Sequence, residues 1–408
     1  MSERSATTPS ALRISTSPAL SARVIAHRGA SGYRPEHTLA AYALAIRQGA
    51  EIIEPDVVMT RDGVPVVRHE NEISSTTDVA AHPEFAARRT TRTVDASTMT
   101  GWFTEDFTLA ELRTLRATER LPQLRPDHCA YDGRYLVPTL AEVFALARSA
   151  RTVTGQPVAV APETKHPSYF ASIGLPVETA LVETLNEARL NHRDAPVIIQ
   201  SFETANLEAL RRLTDVPLVQ LIDSTGAPWD LQSTGDPRTY ADLVTPAGLR
   251  RIAGYADAVG YAKDVMIPRT GQDTLGRPTR AVADAHRAGL RVIGWTFRRE
   301  NAFLPADHRR GSHPEAPGDL AAEIATFLAV GMDGFFTDHP DIGFRAAFAA
   351  RVGFAPRPTL VGAPMARRHL CGIDDLGSVR GWATPHRLCL DTATRRMPPW
   401  SFGAGQHG

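Results

Sequence analysis

Seven residues of reactive type stand at or near the ends of short apolar runs. His27 and Arg28 close RVIAHRG, Glu54 and Asp56 lie two apart in EIIEPDVV, His69 ends VPVVRH, and Glu163 and Lys165 end PVAVAPETK. Three carboxylates without a cysteine ligand favour a hard divalent cation, Ca²⁺ or Mg²⁺, because such ions take oxygen donors. Arg28 and Lys165 bring positive charge for an anionic substrate group, and the arginine fork suits phosphate oxygens. His27 and His69 suit general base and general acid, since imidazole titrates near neutral pH. As a set these types read as cation-assisted cleavage of a phosphoryl ester. A lone strand-end histidine is more often a satisfied structural residue, so the reading rests on convergence of the set.

Convergence depends on the elements that carry these residues. Nine β-rich runs, beginning at Arg23, Glu51, Val64, Pro157, Pro196, Pro217, Ala256, Arg291 and Asp333, recur along the chain. Between most of them lie amphipathic stretches such as TLAAYALAIRQG, VETALVETLNEARL, ANLEALRRL and RAVADAHRAG, with apolar residues at three- and four-residue spacing. Alternation of this kind predicts a parallel sheet, and so many units predict a closed α/β barrel. Nine strands are one too many. Arg61-Asp62-Gly63 separates two of the runs with no room for a crossover helix, which predicts a hairpin whose second arm lies outside the regular repeat. Counting back from that turn brings Glu54 and Asp56, on one face of the strand, near His69. Barrel active sites lie at the C-terminal strand ends. There too fall Gln200, Phe202, Trp295, Phe297 and Asp338.

The chain has 408 residues, 43% of them hydrophobic, enough to bury a large core; such barrels use about 250 residues as one domain. Acidic and basic residues balance at 45 each, leaving no global field for nucleic acid or an anionic membrane. Cys129, Cys371 and Cys389 form no CxxC pair, so no zinc knuckle or disulfide framework is indicated. The polar first twenty residues lack a signal-type apolar core, and no apolar run nears the roughly 18 residues of a span. The chain as written reads as cytoplasmic, with export if translation starts elsewhere. Only Lys165 and Lys263 are lysines among the basic residues.

Residues 1–22 read as a flexible leader and 23–350 as the barrel, with an insertion at 72–136 packed over one mouth. In that insertion TLAELRTLRA predicts a helix capped by Thr108 and Glu111. A stretch rich in turn formers follows at 224–248, and 351–408 reads as a disordered tail. The GxGxxG from Gly403 to Gly408 follows no strand and opens no helix, so it indicates no dinucleotide site. PEHT at Pro35–Thr38 reads as a helix start, with Glu36 a candidate support for Arg28 or the cation.

As an ordered set, HRGASGYRPEHTLAAYALAIRQGAEIIEPDVVMTRDGVPVVRHE, ETKHPSYF, IIQSF, WTFRREN and DGFFTDHP resemble the glycerophosphodiester phosphodiesterase family over roughly residues 23–345. The insertion and ETKHP resemble its longer, bacterial periplasmic-type branch. The resemblance implies a (β/α)8 TIM barrel of the PLC-like phosphodiesterase type with an inserted small subdomain. It implies hydrolysis of small glycerophosphodiesters to sn-glycerol 3-phosphate and an alcohol. By the same resemblance His27 and His69 are the acid–base pair, Arg28 and Lys165 contact phosphate, and Glu54, Asp56 and Glu163 bind the metal. Phe202 and Trp295 pack the glycerol moiety. Glu70 stands where many members have Asp, and Pro55 separates two of the ligands.

Three rivals share parts of this pattern. A barrel phosphodiesterase acting on lysophospholipids or phosphoinositides would want an apolar acceptor surface, for which Trp102-Phe103 is the hint. An amidohydrolase would want HxH on its first strand, which His27-Arg28-Gly29 is not. A non-catalytic phosphate-binding module predicts loss of a histidine or carboxylate, and none is missing.

Overall fold

Parallel pairing runs around a complete ring of eight strands in a computed structural model that describes residues 23–352. β1 is Arg23–His27, β2 comes in two pieces, Ile52–Glu54 and Asp56–Met59, and β3 in two more, Ala159–Val160 and Glu163–Thr164. β4 is Ile199–Ser201, β5 Leu218–Ile222, β6 Ala258–Ala262, β7 Arg291–Phe297 and β8 Gly334–Thr337. Each strand pairs with the next, and β8 returns to β1 from Arg23↔Gly334 to Ala26↔Thr337. The fold is a (β/α)8 barrel. The readings of residues 1–22, of the C-terminal GxGxxG and of the tail lie outside the described residues, except that Arg351 still belongs to the helix Pro340–Arg351.

The two broken strands break at proline. Pro55 and Pro162 have no N–H to give the ladder, yet their carbonyls still accept, from Glu163 N and Gln200 N, each at 2.9 Å. The ninth run is the expected hairpin arm. Pro65–Val67 pairs antiparallel with Asp56–Met59, across a turn whose Gly63 takes φ +76°, a conformation that glycine adopts without strain. Arg68 N then donates to Asp56 O at 3.1 Å, which brings His69 alongside Asp56.

Side chains alternate along a strand, and the barrel interior follows that period. Ile25, Ile52, Ala161, Val219, Leu221, Ala258, Ile293 and Phe336 form one buried cluster, with Ile198 against it. Fully burying an isoleucine contributes about 1.5–3 kcal/mol. Two residues beyond many of these apolar plugs, towards the C-terminal mouth, comes a polar or aromatic group. Ile25 leads to His27, Ile52 to Glu54, Ala161 to Glu163, Ile198 to Gln200, Ile293 to Trp295 and Phe336 to Asp338. One periodicity therefore builds both the plug and the site above it.

Phe297 departs from this pattern. It was grouped with the strand-end residues, but it packs outward against Phe327 and Phe335, ring centroids 5.2 and 5.7 Å away. A register irregularity between Gly294 and Phe297 shifts the alternation, as a bulge does.

The predicted amphipathic stretches form Leu39–Arg47, Val177–Glu187, Thr204–Leu213 and Ala281–Arg287. Residues 72–136 hold an antiparallel hairpin, Thr90–Val94 with Ser97–Gly101, several single-turn helices, and Leu109–Leu112. The Thr108–Glu111 capping box is present, but the helix it starts has four residues. Trp102 and Phe103 are buried, the indole N–H donating to Phe85 O at 2.7 Å, so they offer no apolar acceptor surface. The turn-rich stretch at 224–248 contains Trp229–Thr234 and Tyr240–Leu243. Among the described residues no helix is long and apolar enough to cross a membrane.

Candidate active site

Glu54, Asp56 and Glu163 are buried together, each offering a carboxylate oxygen within 4.8 Å of the others. Strand register puts them there, since Asp56 lies opposite Glu163 and Glu163 opposite Gln200. Glu54 accepts from the Arg28 backbone N–H at 2.8 Å and from Gln200 Nε2 at 3.1 Å. Burial, then the neighbouring Asp56 and Glu163, push the Glu54 carboxyl well above its usual range. Burial and Asp56 likewise raise Glu163 to about 8 against the pull of Lys165. Burial would also raise Asp56, but Lys165 and His37 hold it well below its ordinary value. Three buried carboxylates cannot all ionise without a counter-charge. Asp56 Oδ1 is buried with no hydrogen-bond partner in the protein. An all-oxygen donor set under this repulsion fits a hard divalent cation.

Each histidine is held through Nδ1 by a carboxylate. His27 Nδ1 lies 2.7 Å from Asp338 Oδ1, and His69 Nδ1 lies 2.5 Å from Glu70 Oε1. Burial, then the nearby Arg28, lower His27 to about 4 and His69 to about 3, with Asp338 and Glu70 pulling the other way. In both rings Nδ1 is engaged by its carboxylate, which leaves Nε2 for proton transfer. Glu70 makes the same kind of contact as Asp338.

Arg28 sits at φ +58°, its Nε 3.4 Å from Asp56 and its Nη1 3.2 Å from Glu36. Lys165 Nζ donates to Glu163 at 2.7 Å and lies 5.8 Å from the centre of the Phe202 ring. Phe202 meets Trp295 edge-on at 5.6 Å, both half-buried, and the indole N–H donates to Gly260 O at 2.9 Å. The structure thus gathers the seven reactive residues, with Phe202 and Trp295, around one mouth of the barrel.

Others were missed. His37, read only as part of a helix start, places Nε2 2.8 Å from Asp56. Glu36, the expected candidate support for Arg28, does take Arg28 on one side, but its contact with Arg120 on the other was not foreseen. Arg125 and Arg298 both reach Asp338. The positive φ of Arg28 and His37 turns the chain back on itself and brings PEHT to the cluster. Only a non-helical reading of that tetrapeptide could have signalled it.

A closed barrel whose C-terminal mouth gathers an acidic cluster, two carboxylate-held histidines, a buried arginine and a buried lysine is of a class suited to hydrolysing phosphoric diesters. Residues 27–342 match the model of the glycerophosphoryl diester phosphodiesterase family. The glycerophosphodiester phosphodiesterase GDPD6 of Arabidopsis thaliana is 36% identical over 327 residues, 77% of this chain and 82% of its own length. That of Haemophilus influenzae is 27% identical over 343 residues, 78% and 88% of the two chains. Among solved structures, the Silicibacter pomeroyi putative glycerophosphoryl diester phosphodiesterase aligns with TM-score 0.56 at 23% identity, covering 81% of this chain and 94% of that one. An Oleispira antarctica phosphodiesterase, solved with its product sn-glycerol-3-phosphate, aligns with TM-score 0.52 at 21% identity over 80% and 97%. The chain belongs to the glycerophosphodiester phosphodiesterase family. It is a glycerophosphodiester phosphodiesterase, an enzyme that hydrolyses glycerophosphodiesters.

Proposed function

We propose that Glu54, Asp56 and Glu163 hold Ca²⁺ or Mg²⁺, and that His27 and His69 are the general base and general acid of the hydrolysis. The observation carrying this reading is the buried triple-carboxylate cluster between two carboxylate-held imidazoles. When bound, the cation supplies charge neutralisation and polarisation of the phosphoryl oxygens. Arg28 and Lys165 bind and orient the phosphate, which repays their own burial. The half-buried edge-on pair Phe202 and Trp295 packs the glycerol carbons and excludes water. His27 Nε2 takes the proton of the glycerol hydroxyl next to the phosphate as that oxygen attacks phosphorus. His69, protonated at Nε2, gives its proton to the departing alcohol oxygen, and water then opens the cyclic phosphate. Small headgroup esters of the choline, ethanolamine and glycerol type are the expected substrates. The sn-glycerol-3-phosphate product bound by the Oleispira antarctica neighbour agrees with the glycerol phosphate half common to these esters.

The test starts from metal-stripped protein with glycerophosphocholine, adding Ca²⁺ or Mg²⁺ and coupling glycerol 3-phosphate release to its dehydrogenase. Cation-dependent product is expected, with a loss of roughly 10²–10⁴-fold in kcat for His69→Ala. Full activity in folded His69→Ala, or equal turnover without a cation, would refute the reading.

A further inference from the structure

Between Glu119 and Arg125 the inserted segment sends one arginine to each histidine–carboxylate pair. Arg120 grips Glu70 with Nη1 at 3.0 Å and Nη2 at 2.6 Å, and Glu70 holds His69. Arg125 donates through Nη2 to Asp338 Oδ2 at 2.6 Å, while the other oxygen of Asp338 faces His27. Neither guanidinium depends on a single contact. Arg120 also grips Glu36 through Nε at 2.8 Å and Nη2 at 2.7 Å. Arg125 also reaches Glu300 at 2.7 Å and the Ser31 carbonyl at 3.0 Å. The spacing between them is fixed by a tight turn, in which Arg125 N donates to Leu121 O at 2.8 Å and Leu121 N to Glu119 Oε1 at 2.9 Å. The segment itself is tied down where Glu119 N donates to Asp132 at 2.7 Å.

A carboxylate next to an imidazole fixes the ring's orientation only if it is itself fixed. Glu70 is part-exposed on a two-torsion stem, so without Arg120 its oxygens are free to rotate away from His69. Asp338 keeps Arg298, at 3.0 Å, when Arg125 is removed. The two branches therefore differ in how far they depend on the insertion.

We propose that Arg120 and Arg125 are positioning residues, one for each histidine, and that residues 119–125 thereby assemble both proton-transfer groups of the site. This rests on the acid–base reading of His27 and His69 given above. Arg120 acts on the acid branch and Arg125 on the base branch.

The experiment compares glycerophosphocholine with the p-nitrophenyl ester of glycerol phosphate, whose leaving group needs no proton. His69→Ala should lose far more activity on the choline ester than on the nitrophenyl ester, whereas His27→Ala should lose on both alike. Arg120→Ala is expected to follow His69→Ala, with kcat on the choline ester down about 10–100-fold, KM nearly unchanged, and a much smaller loss on the nitrophenyl ester. Arg125→Lys keeps the charge at a buried position and should follow His27→Ala, with a smaller loss because Arg298 remains. Arg120→Lys should recover part of the choline-ester activity, and melting curves would establish that each variant folds. Equal loss on both esters in Arg120→Ala would mean a structural role only and overturn the proposal. Folded histidine variants with full activity would instead overturn the acid–base reading, and this inference with it.

Discussion

His37 reaches back from the loop after β1 to place Nε2 2.8 Å from Asp56 Oδ2, while its Nδ1 lies 2.8 Å from the Tyr42 hydroxyl. The ring is fully buried and bridges the first helix and the acidic cluster. It orients one carboxylate and leaves the other oxygen, Oδ1, without a protein partner.

Replacing His37 should therefore weaken cation binding more than it slows chemistry. For His37→Ala the Ca²⁺ or Mg²⁺ concentration giving half-maximal activity is expected to rise about 10–100-fold, with kcat at saturating cation within a few-fold. Titrating metal-stripped enzyme measures both. An unchanged half-saturation point would confine His37 to packing.

Cation binding should also stabilise the fold, because it relieves the repulsion that raises Glu54 and Glu163. At a hundred times its dissociation constant a ligand specific to the native state adds about 2.7 kcal/mol. Urea unfolding with and without the cation should show an increment of that order in the wild type and little in Asp56→Asn. Equal increments in both proteins would place the binding elsewhere.

Lys263, the second lysine of the chain, has no part in the site. Its Nζ lies 2.6 Å from Glu323 and 5.2 Å from the Phe297 ring centre, both partners buried. Lys263→Met leaves a buried carboxylate unpaired and should cost roughly 3–5 kcal/mol, while Lys263→Met with Glu323→Leu should recover most of it. Chemical denaturation of the three proteins provides the measurement. A double variant no more stable than the single one would contradict this account.

Glu203 gives the chain a pH signature. Burial, with Asp95 and Asp230 nearby, raises its carboxyl to about 8 from an ordinary 4.5, although Ser168 donates to it. Between those values the unfolded chain ionises and the native state does not. Stability from this group is full below about pH 4.5 and declines as pH rises towards 8, by at most a few kcal/mol at about 1.4 per unit. Glu203→Gln should flatten that decline. Denaturation midpoints at pH 5 and pH 8 would reveal it, and an unchanged slope in the variant would rule Glu203 out as its source.

What could be read in the sequence follows from period two. His27, Glu54, Glu163, Lys165 and Trp295 lie at strand ends beyond an apolar interior residue, so type and spacing sufficed to bring them to one mouth. His69 followed from the turn at Arg61-Asp62-Gly63. Phe297 was misplaced because a register irregularity before it leaves no trace in the alternation. Trp102 and Phe103 could hint at an acceptor surface because aromatic residues in an irregular segment show no periodicity to betray burial. Arg120 and Arg125 were invisible for a different reason. In a chain where all but two of 45 basic residues are arginine, no single arginine stands out. Their importance comes only from partners 50 and 213 residues away.

His27 and Asp338 are separated by 311 positions; one ends the first strand of the ring and the other directly follows the last. A ribosome adding about 5–20 residues per second needs roughly 15 to 60 s to travel between them. For most of that interval the growing chain already carries His27, Glu54, Asp56 and His69, but the carboxylate that holds the first histidine has yet to be made. If His27 is the base proposed above, hydrolytic competence is withheld until the final strand emerges and joins β1. A nascent chain halted before Gly334 should be inert, and turnover by such a fragment would contradict the dependence. The seam of the barrel acts as a clock on its own activation.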